Sequence, residues 1–308
     1  MKNIFSYIIV LFFLNLAHTG ISQQLANTSY FDVTKHYFNP ADVGTDNQIR
    51  TSLFFRQQWV SFSGAPTTGF LSLQYPFDNL NMSAGLIIDH DQTAAISKTG
   101  AQLLYAYKIN GLLGEESRLS LGINAGFHQY SFDPQDEVYN DQDDVLLISS
   151  FSKAFPSVGF GASFISSTTE YDENVLFMGV SYRNYITSSL ESDNADFARE
   201  KHLYFNIGTR VYQRDSYLQP WISLNYVDPS LYDIRAGVKY ELRDVFWAGL
   251  GYSTINELAL FGGVIIPEFV NNYGKLKIGV LGNIGITENV SAFGPGFEFY
   301  AGYLYDLD

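Results

Sequence analysis

The chain has 308 residues, no cysteine, and 32 acidic against 18 basic residues, a net charge of −14. Without cysteine there is no disulfide framework, thiolate metal site, cysteine nucleophile or lipid-modified cysteine anchor. The acidic balance argues against nucleic acid as a partner, because neutralising phosphates needs concentrated Lys and Arg. Aromatic residues reach 16% and glycines number 26. Both fit a membrane barrel, with its aromatic girdles and glycine-bearing strands.

The N-terminus reads as a secretory signal over residues 1–22. Lys2 supplies a positive n-region, Ile4 to Leu16 is largely apolar, and Gly20 and Ser22 precede Gln23-Gln24. The apolar stretch is too short to span a bilayer as a helix, and no stop-transfer flank follows that would make it a retained anchor. No later segment approaches the roughly 20 apolar residues that a membrane helix needs. A membrane location for the exported chain therefore requires a closed barrel, in which strands satisfy one another's backbone groups. Residues 23–308 are expected to form that single domain.

Period-two alternation runs through the mature sequence. Over 119–128, Leu119, Leu121, Ile123, Ala125 and Phe127 oppose Ser120, Gly122, Asn124, Gly126 and His128. Over 203–211, Leu203, Phe205, Ile207 and Val211 oppose Tyr204, Asn206, Gly208 and Arg210. Over 232–242, Tyr232, Ile234, Ala236, Val238, Tyr240 and Leu242 oppose Asp233, Arg235, Gly237, Lys239 and Glu241. A face carrying both charges and glycines suits a lumen better than a dry core. Phe297, Phe299, Ala301, Tyr303 and Tyr305 give the last strand an apolar face, ready to close against the first.

The predicted strands are 49–57, 67–75, 82–90, 98–109, 117–130, 156–166, 174–183, 201–213, 216–226, 231–242, 244–253, 256–265, 273–283 and 296–306. This defines an all-β fold, a transmembrane antiparallel outer-membrane β-barrel of about 14 strands, the even number usual for bacterial single-chain barrels. No convincing helical periodicity follows the signal. With both termini in the periplasm, the long connections near 131–155, 184–200 and 284–295 face outward. Short turns such as Gln213–Ser216 and Arg243–Asp244 face inward, as in outer-membrane barrels.

Reactive chemistry is sparse. No His pair has metal-ligand spacing, and Asp89-His90-Asp91 at a strand end reads as solvated. Residues 133–144, DPQDEVYNDQDD, hold six acids and no base. Calcium binding there is conceivable, but the EF-hand spacing is missing and a solvated external loop is the simpler reading. No G-x-S-x-G element occurs, and lumen-facing His128 and His202 are explained by polar alternation. The chain is read as a non-enzyme without cofactor or metal.

The residues 37–68 read YFNPADVGTDNQIRTSLFFRQQWVSFSGAPTT. The elements FNPADVG and RQQWVSFSGAPTT resemble the N-terminal region of the PorP/SprF family of type IX secretion system membrane proteins. The likeness continues through GLIIDHD, LLYAYKI, RLSLGINAGFHQY, FPSVGFGASF and VLFMGVSY. Asp42-Val43 stands where the family motif has Tyr-Ala. The resemblance implies an outer-membrane protein of the Bacteroidetes working with the type IX machinery. It implies as partners a secreted surface protein as cargo, including gliding adhesins, and a periplasmic protein that grips peptidoglycan, besides outer-membrane lipid. A porin-like or hydrophobic-solute channel is the alternative of the same architecture.

The block Arg56, Gln57, Gln58, Trp59, Gly64, Ala65 and Pro66 is the candidate site. Arg56 ends a strand, Trp59 suits a membrane interface, and Gly-Ala-Pro forces a turn. It either anchors the first hairpin or touches a partner.

Overall fold

The structure, a computed structural model, describes residues 28–29, 31–133, 151–168, 174–184, 189–192, 195–198, 201–270 and 272–307. Strands β1 (Gln48–Gln57), β2 (Thr67–Phe77), β3 (Met82–Thr93), β4 (Ile96–Asn110), β5 (Arg118–Phe132), β6 (Phe151–Ile165) and β7 (Val175–Arg183) form the first half of a barrel. After a separate hairpin of β8 (Ser189–Ser192) and β9 (Ala195–Ala198), the second half follows. It comprises β10 (His202–Gln213), β11 (Ser216–Asp228), β12 (Leu231–Leu242), β13 (Phe246–Ser253), β14 (Glu257–Ile266), β15 (Gly274–Gly285) and β16 (Gly296–Asp306). The barrel closes with 14 strands, as expected, and every pairing is antiparallel. The seam between β1 and β16 runs unbroken from Gln48↔Asp306 to Gln57↔Phe297. Closure leaves no sheet edge to meet lipid with unpaired backbone groups.

The alternation sets which face is which. On β5, Ser120, Asn124 and His128 are buried inward, while Leu121, Ile123 and Phe127 are exposed on the outside. On β12, Asp233, Arg235 and Lys239 turn inward, and Tyr232, Ile234 and Tyr240 turn outward. The outer surface is thus an apolar band, with Leu103 exposed at 67% and Val280 at 64%. Tyr75, Tyr107, Tyr240 and Phe246 edge the band at one end, and Phe55, Tyr232 and Phe297 at the other. Such a band is stable only against hydrocarbon, and a Lys or Arg at its midplane costs about 2–4 kcal/mol. No described helix is long and apolar enough to cross a membrane.

The two ends differ in their connections. At the end where β1 begins and β16 finishes lie short turns, including 214–215 and 243–245. The opposite end carries the connections 133–150, 184–201 and 286–295. This is the asymmetry of outer-membrane barrels, with long connections facing outward. The acids of 133–144 fall, except for Asp133, outside the described residues, as do residues 1–22, where a signal is expected.

One expectation is corrected. Helix α1 (Phe31–Phe38) and a 3-10 turn at Pro40–Asp42 precede β1. With eight residues, α1 is too short to show a period. It also has no exposed face, because Thr34 and His36 are buried along with Phe31, Val33, Tyr37 and Phe38, and Asp32 and Lys35 are half-buried. The helix lies inside the barrel, not on its surface.

Candidate functional site

The segment from Thr28 to Asn47 fills the lumen ahead of β1, and most of its side chains are buried. Its aromatic residues meet aromatic residues of the wall. Phe31 stacks on Trp221 at 5.3 Å, Tyr37 on Phe70 at 5.0 Å and Phe38 on Tyr204 at 5.1 Å between ring centroids. Val43 joins the same cluster with Phe54, Ile87 and Leu104. Across the lumen, Val33 packs with Trp247, Phe261 and Tyr300. Each such apolar side chain, fully buried, contributes about 1.5–3 kcal/mol. The lumen therefore has the core of a soluble domain, which the sequence reading of a merely polar interior missed.

The wall makes room with glycines. Gly122 on β5 pairs with Gly161 on β6, and both face the turn Asn39-Pro40-Ala41. A Cβ at Gly122 would overlap the backbone of Pro40 and Ala41, and one at Gly161 would overlap the side-chain oxygen of Asn39. Gly179 on β7 lies against Asn39 and Asn206, and Gly85 on β3 lies against Val43. Asn39 fits this groove closely: it caps the 3-10 turn by accepting from Ala41 N at 3.0 Å and donates to Ala162 O at 3.1 Å. Ser181 Oγ donates to Phe38 O at 2.7 Å, Ser163 Oγ to Asp42 Oδ1 at 2.6 Å, and Gly44 N to Gln74 Oε1 at 3.0 Å. Arg183 donates to Tyr37 O and sits 5.1 Å from the centre of its ring. These bonds satisfy the backbone of a buried irregular segment, which would otherwise be costly.

Ion pairs fasten the segment in two places. Toward the outer ends of β1, β12 and β16, Ser29 N donates to Glu298 Oε1 at 2.9 Å, and Arg235 Nη1 donates to Thr28 O at 3.1 Å and Ser29 Oγ at 2.9 Å. Arg56 lies 3.2 Å from Glu298 and 3.7 Å from Glu257, while Arg235 lies 2.6 Å from Asp233. Toward the inner end, Asp32 pairs with Lys239 and, at 3.8 Å, with Arg210. Lys239 and Lys277 both meet Glu241, at 3.1 and 3.3 Å. Arg118 donates to Thr45 O, and Asp46 pairs with Arg50. His36 faces β2, its Nε2 2.9 Å from Ser72 Oγ and its ring edge-on to Phe70. Burial, aided by the positive charges of Arg50 and Lys35, pushes its pKa down to about 3, so the ring is neutral.

The candidate block divides. Arg56 turns into the lumen and belongs to the outer ion cluster, which Gln58 Nε2 touches through Glu257 at 3.5 Å. Gln57 ends β1, paired with Thr67 and Phe297. Trp59, Gly64, Ala65 and Pro66 lie in the connection to β2. Trp59 has φ +50° and packs on Phe293 of the β15–β16 connection at 5.2 Å. Gly64 has φ +73° and its carbonyl accepts from Ala94 N at 2.9 Å, while Pro66 O accepts from Gln58 N at 2.9 Å. Ala65 is half-buried between them. The block therefore makes a hairpin connection and one lumen contact, not one surface. Asp89, His90 and Asp91 do not converge either: Asp89 is buried inward 3.4 Å from Lys98, while exposed His90 bonds Thr99 at 2.8 Å. Among the described residues no cluster of acids and histidines is arranged to hold a metal.

A closed barrel with an apolar outer band and a lumen filled by its own N-terminal segment is a plugged outer-membrane β-barrel. The chain belongs to the PorP/SprF family, described as type IX secretion system membrane protein PorP/SprF, whose model matches residues 20–303. Solved structures share the architecture. The Ralstonia pickettii toluene transporter TbuX has a TM-score of 0.54 at 11% identity, covering 96% of this chain and 100% of that one. The CymD monoaromatic hydrocarbon channel has a TM-score of 0.53 at 11% identity, with 94% and 97% covered. The Pseudomonas putida toluene transporter TodX gives 0.50 at 9% identity, with 95% and 97% covered. At such identities the likeness is one of fold. Among curated proteins, none matches the sequence.

Proposed function

We propose that this protein is a non-catalytic outer-membrane platform of the type IX secretion system. It supports the export or surface attachment of a particular secreted protein and links it to peptidoglycan-gripping machinery in the periplasm. Family membership supplies the system. The observation that carries the platform reading is the filled lumen. A segment held by two ion clusters and an aromatic core makes a rigid support. The cavity between α1 and β5, β6, β7 and β10 is about 30 Å³, a space on the scale of a water molecule. Binding then falls to loops and rims, which the barrel fixes in the membrane.

Deleting the gene and comparing secreted and surface proteomes tests this. One or a few surface proteins should be lost from the cell surface while the other type IX substrates remain. Unchanged surface proteins would sink the proposal. The second reading, a hydrophobic-solute channel, is favoured by the names of the similar folds, a toluene transporter and a hydrocarbon channel. It requires the deletion strain to take up toluene more slowly, with its surface proteins intact.

A further inference from the structure

The outer end of the barrel seam carries an apolar surface that the filled lumen does not use. The connections 58–66 and 286–295 flank the closure of β1 on β16 and interlock there. Val60 N donates to Pro295 O at 3.0 Å, and Gly294, at φ +84°, lies close against Ser61. Trp59 and Phe62 both pack on Phe293, at 5.2 and 5.6 Å. Helix α2 (Glu288–Ser291) lies within the second connection. The pair nevertheless leaves Val60, Phe62 and Phe293 exposed at 41%, 51% and 39%.

Two observations say what covers them. The first is continuity: Phe55 and Phe297, 5.9 Å apart on the outer face of the seam, end the lipid-facing band immediately below this cluster. The second is charge. Residues 58–66 contain no charged residue and 286–295 contain only Glu288, whereas 133–144 alone holds six acids. An aromatic rim with a single charged residue that continues a hydrocarbon-facing band fits the membrane interface, where aromatic rings have one apolar and one wet side. We propose that connections 58–66 and 286–295 lie in the outer leaflet, with Val60, Phe62 and Phe293 set among lipid chains beneath the head groups. This makes the seam side of the outer rim a lipid contact and leaves protein partners to the other connections. The assignment rests on the barrel alone and is independent of the secretion proposal.

The protein's own tryptophans provide the test. There are three, Trp59, Trp221 and Trp247, and the last two are buried inside the lumen, beyond the reach of lipid. In a Trp59→Phe background, Phe62→Trp places a single reporter on the rim. The full chain is reconstituted into vesicles of phosphatidylcholine brominated on its acyl chains, and separately exposed to aqueous iodide. The reporter should lose most of its emission to brominated lipid and little to iodide. Quenching by iodide with brominated lipid without effect, or equal quenching by both, overturns the proposal and leaves the cluster facing water or a protein. Should Phe62→Trp fail to show the heat-modifiable migration of a folded barrel, Val60→Trp in the same background serves as the reporter.

Discussion

Gly122→Ala places one methyl group where the lumen segment runs closest to the wall. A Cβ there would lie 2.6 Å from Ala41 Cα and nearer still to Pro40 C and Ala41 N. These are backbone atoms, so the 3-10 turn has to retreat by roughly 1 Å to regain ordinary contact distance. Overpacking of this kind costs about 1–3 kcal/mol. Opposing it, Ala is favoured over Gly within a strand by about 0.5–1 kcal/mol. The sign of the result therefore reports on the groove. With the segment seated, Gly122→Ala should destabilise by up to about 2.5 kcal/mol, the difference between those two effects. With an empty groove it should stabilise. Gly282→Ala, where a Cβ meets nothing within 4 Å, is the control. Denaturant titration of the folded barrel gives the energy. Hydrogen exchange at Ala41 and Gly44, whose amides donate to Asn39 and Gln74, reports on the turn itself. A Gly122→Ala protein as stable as Gly282→Ala, with both amides as protected as in the wild type, would refute the seating.

Three further outcomes follow from the same geometry. Arg56→Ala takes the guanidinium from buried Glu298, while Glu257 keeps Arg235 at 3.7 Å; breaking a buried pair of this kind costs about 3–5 kcal/mol. The temperature at which the barrel loses its heat-modifiable migration should fall clearly, whereas Trp59→Phe, whose indole Nε1 makes no hydrogen bond, should leave it nearly unchanged. Lys239→Met leaves Asp32 and Glu241 short of a cation, so limited proteolysis should cut the 28–46 segment faster than in the wild type. His36 should make stability depend on pH. Its folded pKa of about 3 lies below the ordinary imidazole value of 6.5, so the unfolded chain binds more protons between those values and stability falls as pH drops through that window. The slope approaches about 1.4 kcal/mol per pH unit at its steepest. His36→Gln, which can still bond Ser72, should remove that component in a titration series from pH 7 to 4; equal slopes would contradict it.

The wall of this barrel is readable from sequence because its two faces differ at every second residue. Asp233, Arg235, Lys239 and Glu241 mark the inside of β12 as plainly as Tyr232, Ile234 and Tyr240 mark the outside. The contents of the lumen are harder to read. Helix α1 spans two turns and, apart from half-buried Asp32 and Lys35, is buried, so no amphipathic stripe appears, and FNPADVG stands out only through its family resemblance. A subtler signal was present. Gly122, Gly161 and Gly179 lie together on neighbouring strands, and a lumen wall without side chains there implies that something else occupies the space. Asp42 and Val43, the departures from the family motif, answer to Ser163 and Gly85. The role of Arg56 was out of reach for a different reason: Glu257 and Glu298 lie some two hundred residues away in the chain, and only barrel closure brings them to it.

Planar-bilayer recording from the purified full-length protein tests most directly whether this is a sealed platform. A closed lumen gives no steady ion conductance in the wild type, and openings appear once Lys239→Met and Gly122→Ala together loosen the segment. A stable conductance in the wild type, unchanged by those substitutions, would contradict it.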